Sequence, residues 1–272
     1  MKALNLPKRF GLFIALLLAS QGWGQETEIP VDFVEPSDAF WLGTYSNFRV
    51  TDKLFWAAET HFRTVGTEAF PYFGRMGQLY NRHGVKYLFS KNFSATVGGV
   101  LRLDFSPDPG NDNLRKLILE PRIWHEYLFA MPLGRMMVYH RLRIEHRWSK
   151  GHEFEEEYIY RDRWRYKILA KIPINKLTLQ PGAFYFSPDI ELILQSGKPV
   201  GGSAIEDLRI YPIIGYIHNA RLGYSAGFMY TMGQRLGNPT QFRQRYILRL
   251  NCYLSLDWRK IEDRIPKAKL YD

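Results

Sequence analysis

A transmembrane, antiparallel up-and-down β-barrel of about twelve strands, in a range of roughly ten to twelve, is the architecture expected of this chain on three grounds. Phe93, Ala95, Val97, Gly99, Leu101, Leu103 and Phe105 alternate with Ser94, Thr96, Gly98, Val100, Arg102 and Asp104. This period of two places oil on one face of a strand and polar groups on the other. A run of about a dozen residues is long for a soluble sheet and matches an oblique crossing of a bilayer. The pattern recurs along most of the chain, whereas helical periodicity is nowhere sustained. Connections alternate between short and long, as in bacterial barrels with short periplasmic turns and longer outer loops.

The elements follow in order. Ile29, Val31 and Phe33 alternate with Pro30, Asp32 and Val34 and offer a first strand, with a free N-terminal arm as the alternative; a proline at a strand start is tolerable. Clear strands are expected at Phe40–Val50, Lys53–Arg63, Phe73–Phe89, Phe93–Phe105, Arg115–Ala130, Met136–Trp148, Tyr158–Ala170, Lys176–Phe186, Glu206–Ile217, Arg221–Thr231 and Phe242–Trp258. Short connections fall at Thr51-Asp52, Ser90–Asn92, Met131–Arg135, Ile172–Asn175 and His218–Ala220 and should face the periplasm. Long ones at Thr64–Tyr72, Ser106–Asn113, Ser149–Glu157, Ser187–Ile205 and Met232–Gln241 should face outside. The clear strands are odd in number, while single-chain bacterial barrels are even and return both termini to the periplasm, so the N-terminal segment is needed to carry the chain upward before Phe40.

Charge sets an expected register for one hairpin. Pairing Ala130 with Arg135 opposes Glu120 to Glu145 and Arg122 to Arg143, whereas pairing Ala130 with Met137 opposes Glu120 to Arg147, Arg122 to Glu145 and Glu126 to Arg141. Like charges directly opposite are destabilising and unlike pairs contribute about 0.2–1 kcal/mol each. The second register, with a looser turn over Met131–Met136, is therefore expected.

The N-terminus points to export. Lys2, Lys8 and Arg9 precede an apolar core from Phe10 to Ala19, and Gly22-Trp23-Gly24 supplies small residues for cleavage before Gln25. Residues 1–24 are expected to be a secretory signal peptide, and residues 25–272 a single outer-membrane barrel domain with a short charged tail from Arg259 to Asp272. This places the mature protein in the outer membrane of a Gram-negative bacterium. Nothing downstream approaches the roughly 20 apolar residues of a membrane helix. A mean hydropathy in the soluble range misleads for a barrel, which hides its lipid-facing half in alternation; a secreted β-sandwich is the alternative. The single cysteine, Cys252, excludes an internal disulfide and sits beside Leu250 and Leu254 on the apolar face.

A net charge of +10 would suggest nucleic acid in an intracellular protein. Export excludes that partner and leaves outer-membrane lipid, lipopolysaccharide or small anions, with the barrel-insertion machinery as a transient partner. The lumen is expected to receive Glu59, His61 and Arg63; Arg102 and Asp104; Glu120, Arg122 and Glu126; Arg141, Arg143, Glu145 and Arg147; Arg161, Arg163, Arg165 and Lys167; Arg209; and Arg243, Arg245 and Arg249. Candidate anion-binding residues are Arg122, Arg141, Arg143, Arg147, Arg161, Arg163, Arg165, Arg243 and Arg245, with Glu59, Glu120, Glu126 and Glu145 as candidate ion-pair partners. Arginine suits both tasks because its planar fork binds oxyanions bidentately and stays charged when desolvated. Mutual neutralisation in a packed polar core and selection of an anionic solute are the two readings of this face.

Trp41 opening the first clear strand, Glu59-x-x-x-Arg63, Leu119-Glu120-Pro121-Arg122, Arg141-Leu142-Arg143-Ile144-Glu145-His146-Arg147, Arg161-x-Arg163-x-Arg165-Tyr166 and Asp207-Leu208-Arg209 together resemble the family catalogued as domain of unknown function 2490. The resemblance covers essentially the whole mature chain. It implies a predicted outer-membrane β-barrel with no established activity. At the last motif the family pattern has Asn before the Arg, where this chain has Asp207.

An enzyme is not expected. A lipid-modifying site would need a nucleophile and base in reach of one another; His146 and Ser149 are the candidates, without an evident carboxylate on the face that carries His125, His140 and His146. No cofactor or metal site is expected, and Glu153 to Glu157 reads as a solvated loop. Trp56, Tyr87, Tyr127, Trp148, Tyr158 and Trp258 lie near strand ends, as girdles at two membrane interfaces would require. The function expected is a membrane barrel that binds or, porin-like, passes small anions or anionic lipid; a purely structural barrel and, last, a lipid-modifying enzyme are the alternatives.

Overall fold

A computed structural model describes residues 32–198, 200, 204–235 and 238–259. The expected leader at residues 1–24 and the tail beyond Arg259 lie outside the described residues. Twelve strands form one sheet: β1 (Asp32–Phe33), β2 (Ser37–Arg49), β3 (Leu54–Val65), β4 (Arg75–Ser90), β5 (Phe93–Phe105), β6 (Leu117–Leu133), β7 (Met136–Ser149), β8 (Ile159–Pro173), β9 (Phe184–Ser196), β10 (Ile205–Ile217), β11 (Leu222–Arg235) and β12 (Asn238–Asp257). Neighbours from β2 to β12 are antiparallel, and β12 closes the barrel by pairing with β2 in parallel, from Ser37 opposite Arg245 to Arg49 opposite Asp257. The described residues contain no helix.

The N-terminal strand is much shorter than the ascending crossing expected of Ile29 to Val34. It is a two-residue strand parallel to β12, Asp32 opposite Gln241 and Phe33 opposite Phe242. Parallel closure is the reason: with an odd number of strands in the wall, β2 and β12 run the same way and no ascending strand is needed. The chain therefore joins the wall at the end of the loops after β3, β5 and β7 and leaves it at the end of the short turns after β2, β4 and β6.

The expected strand at Lys176–Phe186 is also corrected. Residues 174–183 form a loop in place of the short turn expected at Ile172–Asn175, and the strand is β9, built from residues read as an outer loop; conversely, most of the long connection expected at Met232–Gln241 belongs to β11 and β12. Phe184, Phe186, Pro188, Ile190, Leu192 and Leu194 alternate outward, and the turn is broken by Pro181 and by Gly182 at φ +80°. Pro188 hides this strand in the sequence, since a proline lacks the ladder donor. It stands opposite Pro212, and each interrupts the ladder on its far side, between Leu169/Asp189 and Ile172/Phe186 and between Ile210/Tyr230 and Ile213/Gly227.

Neither expected register of the β6–β7 hairpin is adopted. Leu133 faces Met136 across a two-residue turn, Gly134-Arg135, with Gly134 at φ +58°. This is the II′-type turn whose twist matches the flanking strands. It puts Arg122 opposite Arg147 and Glu126 opposite Arg143. Turn geometry wins over facing charges because long guanidinium arms find carboxylates elsewhere.

The outer wall is apolar and exposed, with Val97, Leu101, Ile123, Ile190, Ile214 and Phe228 on it. At the short-turn rim the aromatic rings run in near-continuous contact, Trp258 on Phe48 (4.5 Å), Phe48 on Trp56 (4.7 Å), Tyr87 on Phe89 (4.8 Å), Phe89 on Phe93 (5.3 Å) and Phe93 on Phe129 (4.5 Å). The loop after β3 straps the closing seam from outside. Its Phe73 packs on Phe40 of β2 (4.7 Å) and its Tyr72 on Phe228 of β11 (6.0 Å), so it crosses β12. Tyr72 is held at φ +64°, a strained value for a bulky residue, by donating its N–H to Asp38 Oδ2 (2.8 Å). Asp38→Ala is expected to lower stability by about 1–2 kcal/mol and to open residues 66–74 to protease while the rest of the wall stays protected in hydrogen exchange.

Candidate functional site

One row of paired residues organises the lumen: Gly84, Gly98, Trp124, Glu145, Arg163 and Gln195, from β4 to β9. Two facing glycines leave room for the Trp124 indole, which is 1% exposed. The Arg82 and Arg143 guanidiniums lie over it at 5.3 and 4.8 Å from its ring. Next in the row, Glu145 is wholly buried and is the hub of the site. It accepts from Arg82 (2.8 Å), Arg122 (2.6 Å) and Arg165 (3.1 Å), with Arg163 at 3.6 Å.

Five further carboxylates extend the network. Glu120 accepts from Arg102 and Arg122, both at 2.7 Å; Glu59 from Arg82 (2.5 Å) and Arg143 (2.9 Å); Glu126 from Arg143 (2.6 Å); and Glu191 from Arg141 (2.6 Å) and Arg165 (2.8 Å). The Glu59–Arg143 and Arg82–Glu145 bonds join β3 and β4 to β7 across the lumen. Glu206 accepts from Arg163 and from Arg147 (3.2 Å). A bulge between Ile205 and Asp207 turns Glu206 and Asp207 inward together. Arg122/Arg147, Arg143/Arg165 and Arg147/Arg161 face one another directly across the ladders, and the carboxylates between them make this tolerable.

Toward the short-turn end, the β6–β10 side of the lumen is packed. Leu128, Ala130, Met137, Tyr139 and Leu169 form one packed group, and Ala183, Tyr185 and Ile217 another, with Leu179 of the 174–183 loop against it. Between them lies the Lys171 ammonium, 5.6 Å from the Tyr139 ring centre, 5.3 Å from Tyr185 and 5.5 Å from Tyr253 of β12. Each contact is a cation–π geometry, and together they tie opposite walls into a floor. Above the floor, Ala39, Trp41, Tyr211, Ile213, Met229 and Ile247 pack on the β2 and β10–β12 side.

A cavity of about 400 Å³ remains among these groups, large enough for a small molecule. Among the described residues eighteen lysines and arginines line it, against eight lining carboxylates and the buried Glu145 beside them. Every predicted lumen residue except Glu145 lines it directly, and Glu145 is sealed beneath. The predicted anion-binding set divides in two. Arg122, Arg141, Arg143, Arg147, Arg163 and Arg165 are engaged with carboxylates. Among the described residues, Arg161 donates to Ser149 (2.9 Å) and Gln195 (3.4 Å) only, and Arg243 and Arg245 make no hydrogen bond or ion pair.

Sequence reading missed Arg82, Asp189, Glu191 and Glu206. Arg82 shares the inward parity of Tyr80 and Lys86, so its signal was present. The three acids fell in or beside the stretch assigned to a loop. His146 and Ser149 are not brought together: Ser149 accepts from Arg161 inside, while His146 is on the outer wall, 2.6 Å from Asp162. That aspartate is the carboxylate the outer face seemed to lack.

The family model described as "Protein of unknown function (DUF2490)" matches residues 38–243, and the chain belongs to that family. No curated protein matches the chain. No solved structure matches it either.

Proposed function

We propose that this protein is an outer-membrane barrel of a Gram-negative bacterium whose lumen is a cationic chamber, blind at the short-turn end, that holds a small anionic ligand. The observation that carries the reading is the excess of guanidinium and ammonium groups over carboxylates around one cavity. Part of that excess, Arg243 and Arg245, makes no hydrogen bond or ion pair among the described residues. Buried positive charge without a counter-ion is costly, and an anion removes the cost. The packed floor favours holding over porin-like passage. The apolar outer wall and aromatic rims suit lipid and lipopolysaccharide contact, with insertion machinery needed during assembly.

Two experiments test the reading. Calorimetric titration of the protein in neutral detergent with phosphate, pyrophosphate and citrate should show saturable binding that weakens as salt rises; failure of every anion would overturn it. On intact cells, an epitope tag at Gly110 should be labelled and one at Asn175 should not. The reverse pattern would invert the barrel in its membrane.

The two classes of arginine should separate in the same assays. Arg165→Gln removes bonds to Glu191 and Glu145 and should cost about 3 kcal/mol or more of stability, because it leaves buried carboxylates short of a partner. Arg161→Gln, which touches no carboxylate, should leave urea unfolding within about 1 kcal/mol of the parent.

A further inference from the structure

We infer that the long-loop half of the chamber is a subsite for a hydrogen phosphate group, free or on a phosphomonoester, selected over sulfate. The inference rests on the anion-chamber reading and goes further by naming the ligand chemistry and the residues. Arg209, Thr231 and Arg245 stand in one row across β10, β11 and β12, and Gly233 and Arg243 are paired in the row toward the rim. Trp41 of β2 continues the site across the closing seam: the guanidinium of Arg63 on β3 lies 3.7 Å from its ring centre and that of Arg209 lies 5.6 Å away. Arg63 has Gln78 as its hydrogen-bond acceptor (3.3 Å), and its Nε is buried without one. Arg243 Nε is buried in the same condition.

Three guanidinium forks thus come to the cavity from β3 and β12 without an ion pair to any carboxylate among the described residues, though Arg243 lies near Glu206 and Arg245 near Asp207. A carboxylate offers two oxygens confined to one plane, whereas a tetrahedral oxyanion presents oxygens in three dimensions and can accept from forks that converge from outside a single plane. Phosphate and sulfate share that shape, and Asp207 distinguishes them. Its Oδ2 accepts from Arg209 (2.9 Å), but its Oδ1 is buried with no donor. A buried acceptor left unpaired is costly. Inorganic hydrogen phosphate, or a phosphomonoester in its singly ionised form, carries an O–H that can supply the missing donor; sulfate at neutral pH has only acceptors and would set its charge against the carboxylate.

Isothermal titration of the full chain in zwitterionic detergent, at constant ionic strength, with sodium phosphate and then sodium sulfate tests this. Phosphate is expected to bind at least tenfold more tightly than sulfate. Arg243→Gln/Arg245→Gln should weaken phosphate at least tenfold with an unchanged melting temperature, since neither side chain supports the fold. Asp207→Asn should narrow the phosphate preference by admitting sulfate. Equal affinity for the two anions, or phosphate binding that survives Arg243→Gln/Arg245→Gln, overturns the subsite and leaves the chamber reading intact. Binding of citrate without phosphate does the same, and absence of all anion binding overturns both. Micelles doped with phosphatidic acid identify the source: displacement of bound phosphate marks a lipid headgroup, and no displacement marks a soluble phosphomonoester, both on the same subsite.

Discussion

Glu145→Gln is expected to destabilise the barrel by about 3–5 kcal/mol, the range seen when one partner of a buried ion pair is removed. The side chains of Glu145 and Arg122 are both fully buried. Glutamine keeps the shape of the site but removes the charge that holds Arg82, Arg122, Arg163 and Arg165 together, and it points an amide donor at guanidinium donors. Urea unfolding and heat-modifiable migration on gels both read the loss. The contrast is Lys116 with Asp112 in the loop between β5 and β6, whose side chains are 50% and 97% exposed. Breaking that pair by Asp112→Asn should change stability by less than about 1 kcal/mol. Equal effects at the two sites would mean that the network is decorative.

Gly98→Ala is expected to be at least as damaging, for a steric reason. A Cβ on Gly98 would stand 1.9 Å from the His83 carbonyl oxygen and 2.5 Å from the Gly84 Cα, so backbone would have to move. Overpacking of ordinary side chains costs about 1–3 kcal/mol, and a clash against backbone in the middle of a wall should exceed it and prevent correct pairing of β4 with β5. Gly99→Ala is the control, because its added Cβ would meet only the Arg122 carbonyl oxygen at 3.8 Å. The two neighbouring glycines should give opposite results in the same folding assay.

Much of the wall is legible in the sequence because a barrel strand has one strict rule, inward and outward in alternation. The expected strand Phe93–Phe105 coincides with β5, and the arginine-rich strands β7 and β8 differ from expectation by a few residues at their ends. Parity alone placed Arg122, Arg143, Glu145 and Arg165 on the inner face. What alternation cannot give is partnership across the lumen, since that depends on curvature and on which walls approach. Hence Glu145 reads as one acid among several, though it is the hub.

The errors have local causes. Pro188 and the glycines after Ser196 made β9 read as a loop and took Asp189 and Glu191 from view. Gly134-Arg135 fixed the β6–β7 register through a turn that charge counting could not weigh. Closure by a parallel seam is invisible to periodicity, because it concerns strands at opposite ends of the chain. The floor was missed for the same reason: Lys171, Tyr139, Tyr185 and Tyr253 lie far apart in sequence and meet only when the barrel closes.

Single-channel recording in planar bilayers tests most directly the central claim that this lumen is a blind cationic chamber. Protein inserted from detergent should leave the bilayer silent at both polarities, and a floor variant such as Leu169→Gly/Lys171→Gly should begin to conduct with anion selectivity. A steady anion-selective current through the unaltered protein would contradict the account, and would return the arginine-lined lumen to the role of a passage.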